Sequence, residues 1–182
     1  MLKKDNKNYY ASIIVFIIIL LGIGYFYGSI TITKIERYYV FNNLTIKDIF
    51  IHNFTVTIVD IIFSIFGGVL SIIAISVNLI SIGYAIRESQ IRLDQGFFNI
   101  LFPTLLHGIG EIIVMILILN ISIKILRKWY NKIFNIEYNT SHLYKEYIKL
   151  IIVAIPILVV SAIIEISVSQ KIFEHMYLIG GK

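Results

Sequence analysis

The sequence contains no cysteine, which removes disulfide bridges, thiolate metal sites and cysteine nucleophiles together. Charge is scarce too. Asp, Glu, Lys and Arg make up 15% of the 182 residues, against about 25% in soluble domains. Proline occurs twice and tryptophan once. What fills the chain is apolar: 58% of residues are hydrophobic and the mean hydropathy is +0.84. The composition implies an all-α, multi-pass transmembrane helical bundle. The length allows one integral membrane domain, 1–182, and no soluble catalytic module beside the spans. The net charge of +5 reads as topology information. No basic stripe interleaved with aromatics lies outside the apolar stretches, so no nucleic-acid partner is expected.

Crossing a bilayer takes about 20 apolar helical residues. Ala11–Ile30 qualifies. Lys3, Lys4 and Lys7 ahead of it imitate a secretory signal. Tyr25, Phe26 and Tyr27 follow the small residues Gly22 and Gly24 at once, so an uncleaved first span is expected. Phe54–Ile86 carries a single charge, Asp60. It is too long for one ordinary span and short for two. Either one long tilted helix fills it, or a hairpin does, recruiting Ile49–Asn53 and turning near Gly67-Gly68. Further on, Phe97–Leu119 and Leu150–Val168 qualify, and Pro156 inside the latter predicts a kink. Polar connections are expected over Lys34–Asn53, Arg87–Gln95 and Lys124–Lys149.

Charge arbitrates between hairpin and single helix. Lys and Arg favour the cytoplasmic side in short loops. The most basic segments are the N-terminal tail and the stretch holding Lys124, Arg127, Lys128, Lys132, Lys145 and Lys149. Both are cytoplasmic only if an even number of spans separates them. The hairpin satisfies this and gives five spans, about 11–30, 49–67, 68–86, 97–119 and 150–168, in the cell membrane with the N-terminus inside. Four spans are the alternative.

Ionisable groups within spans call for a reason, because each is costly to insert. They are Asp60, His107, Glu111 and Glu165, with Asn78 the main amide among them. His107 and Glu111 stand four residues apart, on one helical face. Gly108 and Gly110 between them permit a close neighbouring backbone. Two readings stay open: a polar site for a proton, an ion or a docked peptide, or a hydrogen-bonded cluster that joins helices. Zinc would want three or four ligands, and the paired-His metalloprotease helix is absent. No serine sits in a recognisable nucleophile setting. Neither a metal, another cofactor nor an enzymatic activity is therefore expected. Small residues four apart, Gly24 with Gly28, Ser64 with Gly68 and Gly67 with Ser71, suit close helix packing within the chain, or a homo-oligomeric contact.

An ordered set of features then resembles the stage II sporulation protein M family. Asn53 precedes a span with Gly67-Gly68; Asn78 is followed by Gly83; His107-Gly108-Ile109-Gly110-Glu111 forms His-Gly-x-x-Glu inside a span; Ile164-Glu165 closes the last one. The resemblance covers roughly Asn53 to Val168. The family usually has Gly directly after the second Asn, where this chain has Leu79. The resemblance implies a non-enzymatic membrane component. In spore formers such a component looks like a scaffold for peptidoglycan-remodelling hydrolases at engulfment. In bacteriocin clusters it looks like a component for peptide export or self-immunity. Its partners would be the bilayer and other membrane or cell-envelope proteins. A small transporter with a polar intramembrane site is a further reading of the same residues.

Overall fold

The computed structural model describes residues 5–32, 45–134 and 143–180. Among these there is no strand. Helix α1 covers Asp5–Thr31, α2 Ile46–Ile65, α3 Val69–Leu93 and α4 Phe97–Ile133; α5, Leu143–Ile164, passes through a π-helical turn, Glu165–Ser169, into α6, Gln170–Gly180. Five stretches are long and apolar enough to cross a membrane: Asn8–Thr31, Ile46–Ile65, Val69–Leu93, Gly108–Ile133 and Lys145–Leu178. This is a multi-pass helical membrane protein.

The hairpin expected in the second apolar stretch is present, and local chemistry explains both of its limits. α2 begins earlier than residue 49 because Thr45 and Asp48 form a capping box. The Thr45 hydroxyl accepts from the Asp48 backbone N–H (3.2 Å), and the Asp48 carboxylate accepts from the Thr45 N–H (2.9 Å). Two orphan donors are thereby satisfied where the helix enters the apolar phase. α2 stops at Gly67 and Gly68, with φ of +123° and +80°, a region that penalises any residue with a Cβ. Gly68 is required twice over, since a Cβ there would overlap the carbonyl oxygen of Ser122.

All three expected polar connections turn out to be partly helical, the first because α2 starts at Ile46. α3 continues through Arg87 to Leu93, which is buried. α4 runs 14 residues past Leu119, to Ile133. Lys124, Arg127, Lys128 and Lys132 therefore lie on a helix and not in a loop. The reason is packing: Val114, Ile118, Ile121 and Ile125 are all buried. Their three- and four-residue spacing carries one apolar stripe beyond the hydrophobic run. At 37 residues and 1.5 Å per residue, α4 is about 55 Å long, well beyond the ~30 Å of hydrocarbon. The last span likewise exceeds 150–168, running as unbroken helix through Pro156 and on into α6. Residues 135–142, the rest of the expected basic loop, and residues 33–44, most of the first expected connection, lie outside the described residues.

The chain divides into two compact units. The first holds α1, Ser76–Leu101 and the end of α6. In it, Gly24 packs against Ile80, and Gly28 against Tyr84 and Arg87. Both series ascend together, so α1 and α3 run parallel, as two helices separated by one intervening crossing must. A Cβ on Gly24 would lie 2.8 Å from the Ile80 carbonyl carbon, and one on Gly83 2.9 Å from that of Leu21. The backbones are in direct contact here, the use membranes make of small residues.

The second unit holds α2, residues 69–75 and Phe102–His175. Asn53 and Gly68 of α2 and its turn meet Glu111 and Ser122 of α4 in the same order, so these helices are parallel. α4 and α5 are antiparallel. Pro103 meets Ser169, Gly110 meets Ser161, and Lys124 meets Glu146. Steps of seven and fourteen residues along α4 are matched by steps of eight and fifteen back along the partner.

Candidate functional site

The polar residues of α2 are not scattered. Asn53, Thr57, Asp60 and Ser64 recur at four-, three- and four-residue intervals, one face of a helix. Thr57, Asp60 and Ser64 are buried, Asp60 to 2% exposure. Lipid offers these groups no hydrogen bonds, so the stripe faces protein. At one end, Asn53 donates from Nδ2 to Oε1 of Glu111 on α4 (2.5 Å). At the other, the Ser64 and Tyr147 hydroxyls share a hydrogen bond of 2.8 Å, joining α2 to α5.

α4 and α5 are joined by a matching series. Lys124 donates to both carboxylate oxygens of Glu146 (2.9 and 2.8 Å). Ser122 Oγ donates to Ser71 Oγ (3.0 Å) with both residues fully buried, which ties α4 to the start of α3. Ser169 Oγ donates to the Pro103 carbonyl (2.8 Å). Between these levels Gly110 sits directly under Ser161. Ala154, Leu158, Ser161 and Ala162 are all buried on α5, and the small side chains among them permit the close approach.

The antiparallel register puts Glu165, midway between Ser161 and Ser169, level with the α4 turn between Pro103 and Gly110. That turn bears His107, whose side chain lies outside those the structure describes. Glu165 stands one helical turn beyond Ser161, which faces Gly110 next to Glu111. Glu165 also opens the π-helical turn. Such a turn shifts the i→i−4 ladder by one residue and is frequent at functional sites.

The structure thus assembles Glu111, Glu165 and Asn53 in the second unit, on three helices. Asp60 belongs to the same unit, on the α2 stripe. Asn78 belongs to the first unit, partly buried on α3 beside Leu79, which is 1% exposed. The glycines divide as well. Gly110, Gly68 and Gly83 each lie against a neighbouring helix, whereas a Cβ on Gly108 or Gly67 would meet nothing within 4 Å. Among the described residues no three His, Asp or Glu converge in a way that would hold a metal ion.

The comparison with known families bears on this arrangement. The stage II sporulation protein M family model matches residues 11–170. The chain belongs to that family. The match takes in α1, which carried no recognisable motif, and extends through the π-helical turn. The helices bearing Asn53, Glu111 and Glu165 therefore all lie within the family's shared region. No curated protein and no solved structure matches the chain.

Proposed function

We propose that this member of the stage II sporulation protein M family is a non-enzymatic membrane scaffold, an assembly subunit that holds other membrane or cell-envelope proteins. In a spore former, hydrolases that remodel peptidoglycan are the partners the family suggests. The observation that carries the reading is how the polar groups of the second unit are used. Asn53 with Glu111, Ser64 with Tyr147, Ser71 with Ser122, and Lys124 with Glu146 each bond one helix to another. Groups used in this way fix the relative positions of α2, α4 and α5. A scaffold needs such fixed positions in order to present a constant surface. The test is affinity purification of the tagged full chain from its native membrane. A scaffold brings down a defined envelope protein in stoichiometric amount.

A second reading, a peptide-export, self-immunity or small transport component, is favoured by two acidic residues at neighbouring levels of facing helices, Glu111 beside the Gly110–Ser161 contact and Glu165 at the π-helical turn. Two acidic groups there suit a proton or a basic peptide. Expression of the chain alone in a naive host separates the two. Changed sensitivity to a cationic peptide, or changed ion flux, supports the second reading; no change, together with a recovered partner, supports the first.

A further inference from the structure

The first unit contains a groove that the scaffold reading does not use. It has a volume of about 460 Å³ and is lined by Ile18, Leu21, Gly22, Tyr25, Gly83, Ile86, Phe97 and Leu101. Its wall is hydrocarbon and aromatic apart from one hydroxyl. The hydroxyl is that of Tyr25, which donates to Gln90 Oε1 (2.6 Å). Arg87 donates from Nη1 to the same oxygen (2.9 Å) and lays its guanidinium over the Tyr25 ring, 5.5 Å from the centroid. Phe97 meets that ring edge-on. Tyr25, which lines the groove, therefore has over its ring a positive charge held in place by that ring and an amide.

That charge is incompletely satisfied. Nε of Arg87 is buried and has no hydrogen-bond partner. A buried donor without an acceptor is costly, and more so on a cation. The residue as a whole is partly exposed, and it lies over the ring of Tyr25, which lines the groove, so the headgroup of a lipid lying there can approach the guanidinium. The fork of a guanidinium matches a phosphate group. Arg87 also stands where the apolar run of α3 gives way to polar sequence, the depth at which phospholipid phosphates lie.

We propose that the groove is a binding site for one anionic phospholipid, with an acyl chain between α1, α3 and the first turn of α4 and the phosphate on Arg87. The positive charge of Arg87, partly exposed and over the ring of a groove residue, selects an anionic amphiphile over a neutral one. The apolar wall selects a lipid over a soluble phosphate.

Gly22 offers a clean probe. A Cβ there would meet nothing within 4 Å, yet the residue lines the groove. Gly22→Leu should fill the groove without disturbing the helix contact made by Gly24. The experiment is native mass spectrometry of the detergent-solubilised full chain, equilibrated with phosphatidylglycerol and phosphatidylcholine at equal concentration. The wild type should retain phosphatidylglycerol over phosphatidylcholine by roughly fivefold, the scale of one basic residue near an anionic lipid. Arg87→Gln should abolish the preference, and Gly22→Leu should reduce retention of both lipids. Equal retention by the wild type would overturn the proposal, as would an unchanged preference in Arg87→Gln. Should Arg87→Gln fail to give a monodisperse helical protein, Gly22→Leu decides: lost phosphatidylglycerol supports the site, and full retention contradicts it.

Discussion

Asn53 on α2 and Glu111 on α4 are 58 residues apart in sequence and joined by a hydrogen bond, the amide donating to the carboxylate in a region that lipid surrounds. The bond fixes the parallel packing of two helices that are not consecutive in the chain. It also gives the acidic group of the His-Gly-x-x-Glu element a designated partner.

Deleting one member of this pair should cost more than deleting both. Asn53→Leu removes the donor and leaves the Glu111 carboxyl group partly buried without it, a loss of about 1–3 kcal/mol. Asn53→Leu with Glu111→Leu exchanges a polar contact for an apolar one and should recover much of that loss. Reversible unfolding in mixed detergent, as a double-mutant cycle, reads the coupling. Additive losses would mean that the two side chains do not interact.

The glycines of α4 should behave oppositely despite being two residues apart. Gly108 has open space around it, so Gly108→Ala should be neutral or raise stability by up to ~1 kcal/mol through helix propensity. A Cβ on Gly110 would overlap Ser161 Oγ, so Gly110→Ala should destabilise by about 1–3 kcal/mol, the usual cost of overpacking. Adding Ser161→Ala removes the obstructing oxygen and should restore most of the loss. The nearest remaining atoms, Ile157 Cγ2 and Ser161 Cβ, would lie at 3.2 and 3.4 Å. Thermal aggregation midpoints of the three variants check this.

The buried Ser71–Ser122 bond is neutral and interhelical. Such bonds average about 0.6 kcal/mol in membrane proteins. Ser71→Ala should therefore cost far less than Gly68→Ala, three residues earlier, which combines a φ of +80° with overlap onto the Ser122 carbonyl. Comparing yields of monodisperse protein for the two variants is sufficient. Equal yields would contradict the hairpin geometry.

Because the chain has no cysteine, orientation can be read from single substitutions. Residues 94 and 134 flank α4 at opposite ends, so Asp94→Cys and Phe134→Cys should differ in reaction with an impermeant maleimide on intact cells. The bias of Lys and Arg toward the cytoplasm predicts labelling of Asp94→Cys and protection of Phe134→Cys. The reverse pattern would invert the topology and leave the fold intact. Labelling of both would break the account of α4 as a single crossing.

Much of this architecture was legible in the sequence, because bilayer thickness imposes a length on apolar runs. The turn at Gly67-Gly68 was legible because tandem glycine in a run too long for one span has few other uses. The ends of the helices were not. α4 continues past Leu119 because of Ile121 and Ile125, whose burial depends on helices distant in sequence. The capping box at Thr45 and Asp48 has a recognisable spacing, and attending to it would have placed the start of α2 correctly. Asn53 stood in the sequence as a family landmark, yet its partner Glu111 could not be read, since nothing local pairs residues 58 positions apart. The stripe Asn53, Thr57, Asp60 and Ser64 was visible in principle as a polar heptad face within an apolar helix. The π-helical turn at Glu165 leaves no signature in residue type.

The central claim is that the joined helices of the second unit exist to hold a partner. The most direct measurement is the quantity of partner recovered with tagged full chain from native membranes, wild type against Glu111→Gln, with melting temperature and monodispersity recorded for each. The account predicts a defined partner with the wild type and at least a severalfold loss with Glu111→Gln, while the variant remains folded. Undiminished recovery of the partner by a folded Glu111→Gln, or no partner with the wild type, would contradict it.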